Sequence, residues 1–353
     1  MAEQVRDAQP QPALVRDPVM LRRFLDSCVE LPAGELEVRL LAGGLSNVTL
    51  LAGVGERHYV LRRPPIGPSD PAAHDVRREF LILSALATSR LPTPEVYGFC
   101  PDSDALGAPF VVVEYIEGRV LHTPDDAVGI APATARRLCE ALVDTLVDLH
   151  DTPIDQEPFA GWHRPEPFAA RRLHRWIEQW RRGAHADEPR IELLGTELLA
   201  RAPARDEKTL VHGDYRFGNL IVDVSETPRV AAILDWELCT VGDPLTDLAQ
   251  VVVYADPAND RITHPGQRLT GLPGFLTAEE LVERYLAGSG RRAEDLDFYV
   301  AFSHWRSAII KTGIRERAAA AGEHERASGL ADIVHTHLQI AGDLLDRESS
   351  HRL

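Results

Sequence analysis

The 353-residue sequence is poor in the features that mark several classes of protein. Its four cysteines, Cys28, Cys100, Cys139 and Cys239, make no C-x-x-C pair and no metal-ligand spacing. That pattern argues against a disulfide framework or a cysteine-based metal centre and leads to the expectation of free thiols in a reducing, cytoplasmic compartment. No apolar run approaches the ~18 residues of a membrane-spanning helix, so no membrane partner is expected. The opening segment, MAEQVRDAQPQPALVRD, has acids and prolines where a signal peptide would carry a basic start and an apolar stretch. Residues 1–18 read as a flexible tail. A basic field is missing too: 38 Lys plus Arg stand against 54 Asp plus Glu, a net charge of -16, which argues against a nucleic-acid partner. Repeats and low-complexity tracts are lacking.

What is present is an ordinary soluble composition, 44% hydrophobic and 26% charged, on a chain long enough for two cores. After a short helix at 19–28, the alternation of Leu36, Val38 and Leu40 with Glu37 and Arg39 predicts a half-buried strand. Strands at 48–51 and 58–62 follow across short turns, giving an antiparallel meander. Beyond the proline-rich 64–71, residues 72–89 have helical spacing, and Glu79 shares a side with Leu83 and Leu86. An inward carboxylate needs a cation, and Arg62 or Arg63 at the end of the third strand is the nearest candidate. Strands at 96–100 and 109–115 complete a five-stranded sheet. From 116 onward long amphipathic helices predominate, at 134–150, 171–180, 191–199, 244–254, 295–320 and 323–345. Thr277 with Glu280 has capping-box spacing for a further helix to 287, and the Gly/Pro-rich 261–275 reads as an exposed loop.

One stretch of the helical part departs from this pattern. Residues 210–249 read LVHGDYRFGNLIVDVSETPRVAAILDWELCTVGDPLTDLA, with two short apolar strands at 220–222 and 230–234. His212, Asp214 and Asn219 precede the first strand; Asp235 and Glu237 follow the second. A hairpin returns its ends to one place, so Asp214, Asn219 and Asp235 can converge on one cation or phosphate. The whole order is strand, glycine-containing turn, strands, basic residue, helix with inward Glu, hinge, helical lobe, H-x-D-x-x-x-x-N and D-W-E. It repeats the parts of phosphoryl transfer in protein-kinase-like enzymes.

His212-Gly213-Asp214-Tyr215-Arg216-Phe217-Gly218-Asn219, then Leu234-Asp235-Trp236-Glu237 and Gly242-Asp243-Pro244-Leu245-Thr246-Asp247-Leu248-Ala249, closely resemble the aminoglycoside phosphotransferase and choline kinase family of small-molecule kinases. Gly43-Gly44-Leu45-Ser46-Asn47 and Tyr59-Val60-Leu61-Arg62-Arg63-Pro64-Pro65 look most like the subgroup found as the kinase part of acyl-CoA dehydrogenase fusion proteins. The resemblance covers roughly 36–320. It implies an α+β, protein-kinase-like two-lobe fold: a five-stranded antiparallel N-lobe with one helix over 19–115, and a mainly helical C-lobe over 116–353 that carries the catalytic loop and acceptor site.

It also implies roles. Asp214 corresponds to the catalytic base, which orients a hydroxyl and takes its proton. Asn219 and Asp235 resemble magnesium ligands, hard oxygen donors suited to Mg²⁺. Arg216 stands two after the base, where a guanidinium could hold phosphate oxygens; a salt bridge to a neighbouring acid is its alternative. His212 and Asp247 correspond to residues that support the loop. In the first lobe the strand-three lysine of kinases is replaced by Arg62, with Glu79 as its helix partner. Gly43, Gly44, Ser46 and Asn47 match the glycine loop over the phosphates, and Glu114, Tyr115 and Ile116 match the hinge that meets adenine.

The resemblance therefore implies an ATP- or GTP-dependent, Mg²⁺-requiring kinase acting on a small hydroxyl compound. Pockets for cationic aminoglycosides or choline should be acidic or aromatic, whereas the helix 301–320 carries Arg306, Lys311, Arg315 and Arg317 against the single acid Glu316. Arg306 and Lys311 are thus candidate contacts for an anionic acceptor, a hydroxy acid or hydroxyacyl-CoA. Alternatives are an antibiotic O-phosphotransferase and, from a different class, a nucleotide-binding regulatory module without catalysis, suggested by the arginine at position 62. A metal-dependent hydrolase built on His212, Asp214, Asp235 and Glu237 would explain the 210–249 stretch but not the first lobe.

Overall fold

The computed structural model describes residues 15–41, 47–65, 75–102, 104–183, 188–257 and 268–351. The chain divides into two compact units: residues 1–120, 156–158 and 219–238 make up the first, and 121–155, 159–218 and 239–353 the second.

The first unit is built on a five-stranded antiparallel sheet of β1 (Leu36–Leu40), β2 (Val48–Val54), β3 (Arg57–Arg63), β4 (Val96–Cys100) and β5 (Phe110–Glu114), in the order β1-β2-β3-β5-β4. β5 lies between β3 and β4 and is covered on both faces, which accounts for a sequence that is apolar without alternation: Phe110, Val111, Val112 and Val113 are all buried. Leu50, Ala52, Tyr59, Leu61 and Val112 form one core with Leu21 and Leu25 of α1 (Pro18–Cys28). Asp17 caps α1 by accepting from the amides of Val19 and Met20. Arg16 and Asp17, expected within the flexible tail, also donate their amides to Ala105 O at 2.8 and 3.2 Å, and residues 1–14 of that segment lie outside the described residues.

The helix after β3, α2, runs Val76–Leu86, with Asp75 as its N-cap. It buries Val76, Glu79, Ile82, Leu83 and Leu86, so the carboxylate does lie on the inward face. The hairpin of β7 (Leu220–Asp223) and β8 (Arg229–Ile233) belongs to this unit and not to the helical one in which the sequence placed it. Its anchors are physical: Arg119 and Val222 exchange backbone hydrogen bonds at 2.9 and 2.8 Å, and Ile233 N donates to Pro92 O at 2.8 Å.

The second unit is mostly helical, with α3 (Pro132–His150), α4 (Phe168–Arg182), α5 (Pro189–Arg201), α6 (Leu245–Ala255), α7 (Ala278–Ser289), α8 (Leu296–Ala320) and α9 (His324–His351). Both halves of the α7 capping box form: Glu280 N donates to Thr277 Oγ1 at 3.2 Å and Thr277 N to Glu280 Oε2 at 2.9 Å. Two three-residue strands, β6 (Thr209–Val211) and β9 (Thr240–Gly242), pair antiparallel and were not anticipated. Three residues are too few to show a period of two. The segment expected as an exposed loop lies partly outside the described residues, and its later part is anchored inward by buried Leu269 and Phe275.

Candidate active site

In the first unit a buried cation links two acids. Arg62 projects from β3, and its Nη1 donates to Glu79 Oε1 at 2.6 Å while Nη2 donates to Asp235 Oδ1 at 3.1 Å. The Arg62 and Glu79 side chains are 12% and 3% exposed, so neither charge could remain without the other at low cost. Burial disfavours the Arg62 cation, but the charges of Glu79, Asp235 and Glu237 outweigh it and hold its pKa above the ordinary arginine value. Burial pushes Glu79 up, and the guanidinium opposes that shift. Arg63, one residue on, is turned elsewhere, with Nη1 donating to Pro64 O at 2.8 Å.

Asn219 and Asp235 share one end of the β7–β8 hairpin. Leu220 pairs with Ile233, and Leu234 N donates to Asn219 O at 2.8 Å. Among the described residues Asp235 is the non-glycine residue with positive φ, 65°, a left-handed conformation that carries strain. An amide and a carboxylate oxygen at one hairpin end are a hard donor set that fits Mg²⁺, which keeps several waters and needs few protein ligands.

Asp214 belongs to the second unit, on the loop after β6, and that loop is tied down from α6 and α3. The Asp247 carboxylate, fully buried on α6, accepts from His212 N at 2.6 Å and Gly213 N at 2.7 Å. Burial would raise the Asp247 pKa, but hydrogen bonding to His150, the charges of His150 and His212 and the Gly213 amide outweigh it and bring it below the ordinary value. His150, at the end of α3, contacts Asp247 Oδ2 through Nε2 at 3.4 Å and Tyr285 Oη through Nδ1 at 2.7 Å. His212 Nδ1 accepts from Asp214 N at 3.3 Å, and Tyr215 Oη donates to Leu142 O at 2.9 Å. Backbone and side-chain anchors thus over-determine the loop before any ligand is considered.

The Asp214 carboxylate itself is held from two sides. Gln250 Nε2 donates to Asp214 Oδ1 at 3.1 Å, and Arg216 Nε faces Oδ2 at 3.4 Å. Arg216 also lies over the Tyr254 ring, 5.0 Å from its centroid, a cation–π contact. Beside it a cavity of about 50 Å³ is lined by apolar residues that include Leu121, Leu142, Phe217 and Leu281, and by His122, Arg216, Tyr254 and Thr270, which carry polar groups. Burial and the Arg216 charge push His122 down from its ordinary pKa.

The remaining expected residues are more dispersed. Gly43, Gly44 and Ser46 lie outside the described residues; Asn47 is 3% exposed at the start of β2. The Glu114 amide donates to Glu95 O at 2.8 Å, and Tyr115 and Ile116 follow directly on the end of β5. Arg306 and Lys311 do not come together. Arg306 is 8% exposed and donates to Gln250 Oε1 at 3.0 Å and Gly213 O at 3.4 Å. Lys311, five residues on and on another face of α8, is pushed below its ordinary pKa by burial, and its charge bears on His337 of α9. Five residues turn a helix by about 140° beyond a full turn, so the two cations cannot bind one anion side by side.

Gln250, Tyr254 and His150 were missed by sequence reasoning. Asp247, Gln250 and Tyr254 are at i, i+3 and i+7 on α6, a spacing that puts three polar groups on one face and could have revealed two of them. Nothing local distinguishes His150 from a helix-terminal histidine.

Comparison with known proteins agrees with this geometry. Residues 37–308 match the model of the phosphotransferase enzyme family. The sequence is 32% identical over 337 residues to acyl-CoA dehydrogenase family member 11 of Gallus gallus, covering 91% of this chain but 43% of that protein. The chain thus spans less than half the length of that relative. Among solved structures, a candidate aminoglycoside phosphotransferase from Ralstonia eutropha is 26% identical with a TM-score of 0.76, over 93% of this chain and 98% of that one. The GDP and kanamycin complex of APH(2")-IIia, 18% identical, shares the fold with a TM-score of 0.61 over 90% and 98% of the two chains. The chain, an α+β protein with the kinase-like architecture of aminoglycoside phosphotransferases, belongs to the phosphotransferase enzyme family.

Proposed function

We propose that the protein transfers the γ-phosphoryl group of ATP or GTP to the hydroxyl of a small, aliphatic, anionic acceptor, a hydroxy acid or hydroxyacyl-CoA. The observation that carries the kinase reading is the Arg62 bridge to Glu79 and Asp235. Phosphoryl transfer needs a fixed cation for the phosphates, and arginine fills that role through an ion pair with the helix glutamate. This pairing also favours catalysis over a regulatory module, since the substitution at position 62 keeps both the charge and its partner.

Asn219 and Asp235 would hold Mg²⁺, which when bound supplies charge neutralisation to the triphosphate oxygens. Asp214, on its anchored loop, accepts the hydroxyl proton as the oxygen bonds phosphorus. Arg216, resting on Tyr254 and Asp214, is the cation for the transferred group. His212 and Asp247 hold the loop. The glycine loop of Gly43, Gly44, Ser46 and Asn47 and the hinge at Glu114, Tyr115 and Ile116 remain the proposed contacts for phosphates and base.

The acceptor class rests on the cavity beside Arg216. At about 50 Å³ it holds about three or four water-sized groups and is lined mainly by apolar side chains, with Arg216, His122, Tyr254 and Thr270 as the residues that bring polar groups to it. That suits a short aliphatic chain better than a polycationic aminoglycoside. The name of the Gallus gallus relative, an acyl-CoA dehydrogenase family member, points the same way. With Arg306 committed to Gln250, Arg216 and His122 replace it as the nearest candidates for the acceptor's polar end, and Lys311 is less suited.

The test is nucleoside diphosphate release from Mg²⁺·ATP and Mg²⁺·GTP with hydroxybutyrates, hydroxyacyl-CoAs and kanamycin as acceptors. Stimulation by the hydroxy acids or thioesters, lost in Asp214→Asn, is expected. Stimulation by kanamycin alone would overturn the acceptor class, and wild-type turnover in Asp214→Asn would remove the base.

A further inference from the structure

Gln250 is an amide in an otherwise apolar part of α6, 5% exposed between Ala249 and Val251. A buried amide is tolerated only where both its ends are bonded. Both are: Oε1 accepts from Arg306 Nη2 at 3.0 Å, and Nε2 donates to Asp214 Oδ1 at 3.1 Å. Which way a glutamine amide points is usually ambiguous, but here the partners decide it. Arginine has donors only, so it can face only Oε1, and Nε2 is thereby turned to the carboxylate. Arg306 is itself 8% exposed and is fixed a second time by Gly213 O at 3.4 Å, one residue before the base.

We propose that Gln250, oriented by Arg306, is the positioning residue of the base. It occupies Asp214 Oδ1 and so sets the carboxylate rotamer, leaving Oδ2 as the oxygen that receives the acceptor proton. In that step the acceptor O–H bond breaks as its oxygen bonds the γ-phosphorus, the proton passes to Oδ2, and the nucleoside diphosphate leaves with the electrons of the broken P–O bond. Arg216, which faces Oδ2, is drawn to the phosphoryl group when the donor binds. Asp214 is thus aimed by a chain that starts on α8, passes through α6 and ends on the catalytic loop. The inference rests on Asp214 being the base, as proposed above.

The discriminating variant is Gln250→Glu. It preserves the shape and the acceptor toward Arg306, but it replaces the donor to Asp214 with a second carboxylate oxygen. Because that oxygen also repels the Asp214 carboxylate, Gln250→Met, similar in length and without charge or donor, is measured beside it, and a packing role would leave Gln250→Met active. A positioning role lowers kcat about 10- to 100-fold while KM for ATP stays near the wild-type value. Diphosphate release from Mg²⁺·ATP, with water and with hydroxybutyrate as acceptors, is measured for wild type, Gln250→Glu, Gln250→Met, Arg306→Met, Arg306→Lys and Asp214→Asn. Arg306→Lys, which can still hold Oε1, should recover part of the activity lost in Arg306→Met. Should Gln250→Glu fail to fold, Gln250→Met carries the same expectation. Wild-type kcat in a folded Gln250 variant overturns the inference while leaving the base in place. A wild-type rate in Asp214→Asn removes the base and the inference together.

Discussion

Removal of Asp247 should show how much of the order of the loop at 212–214 comes from one buried carboxylate. Its two oxygens accept from His212 N and Gly213 N at 2.6 and 2.7 Å in a fully buried position. Asp247→Ala leaves both amides without that acceptor, each at about 1–3 kcal/mol, so the predicted loss of stability is about 2–6 kcal/mol. Asp247→Asn retains one accepting oxygen and turns an NH₂ toward the other amide, so about half that loss is expected. The pH dependence has a definite sign. The folded-state pKa of Asp247 is depressed, so its contribution is complete above the unfolded carboxylate pKa and is lost as pH falls through the folded one. Urea unfolding of wild type and both variants at neutral and acidic pH measures this, with diphosphate release as a second readout. Turnover should fall about 100-fold in Asp247→Ala, because the loop that carries Asp214, the proposed base, loses its backbone anchors. A stability change under about 0.5 kcal/mol in Asp247→Ala would refute the anchoring argument.

Three further outcomes are predicted. Arg62→Met strands the Glu79 carboxylate, which should cost about 3–5 kcal/mol and raise KM for the nucleotide; an unchanged KM would count against Arg62 as the phosphate cation. His304 and His337 meet through Nδ1 atoms 3.0 Å apart, and burial pushes them down to about 4 and about 2, so both stay neutral in the folded protein. The unfolded chain takes up these protons first as pH falls below about 6.5. Stability should then drop by about 1.4 kcal/mol per histidine for each pH unit, and His337→Gln should show a shallower drop in urea midpoint between pH 7 and pH 5. Gly274 has φ +90° and a Cβ there would lie 2.1 Å from Pro132 O, so Gly274→Ala should lose about 2–4 kcal/mol in the same unfolding assay, whereas strain alone would account for only about 1.

The sheet, the long helices and the α7 cap could be read from the sequence because each depends on neighbours a few residues apart. The exceptions are informative. Strands β6 and β9 are three residues each and owe their existence to each other across the intervening segment 212–239, which no local window can register. The β7–β8 hairpin read correctly as a hairpin, but it groups with the sheet unit because Arg119 and Pro92 bond its edges. Glu79 announced a buried partner through its helical phase, and Arg62 was one of two nearby candidates. The choice depended on side-chain direction, which sends Arg63 to Pro64 O instead.

The sequence by itself determined the residue types from which the proposed site is drawn: the Asp214 carboxylate, oxygen donors at one hairpin end, an arginine with an acidic helix partner, and a fold able to carry them. These follow from residue type and short-range spacing, which are properties of the chain. The tertiary structure alone decided what each part is bonded to. It turned Arg306 inward to Gln250, placed Lys311 toward α9, and recruited His150 and Tyr285 behind Asp247. Those outcomes depend on which faces of distant helices meet, and a buried polar group settles on whichever partner that packing brings within hydrogen-bond reach.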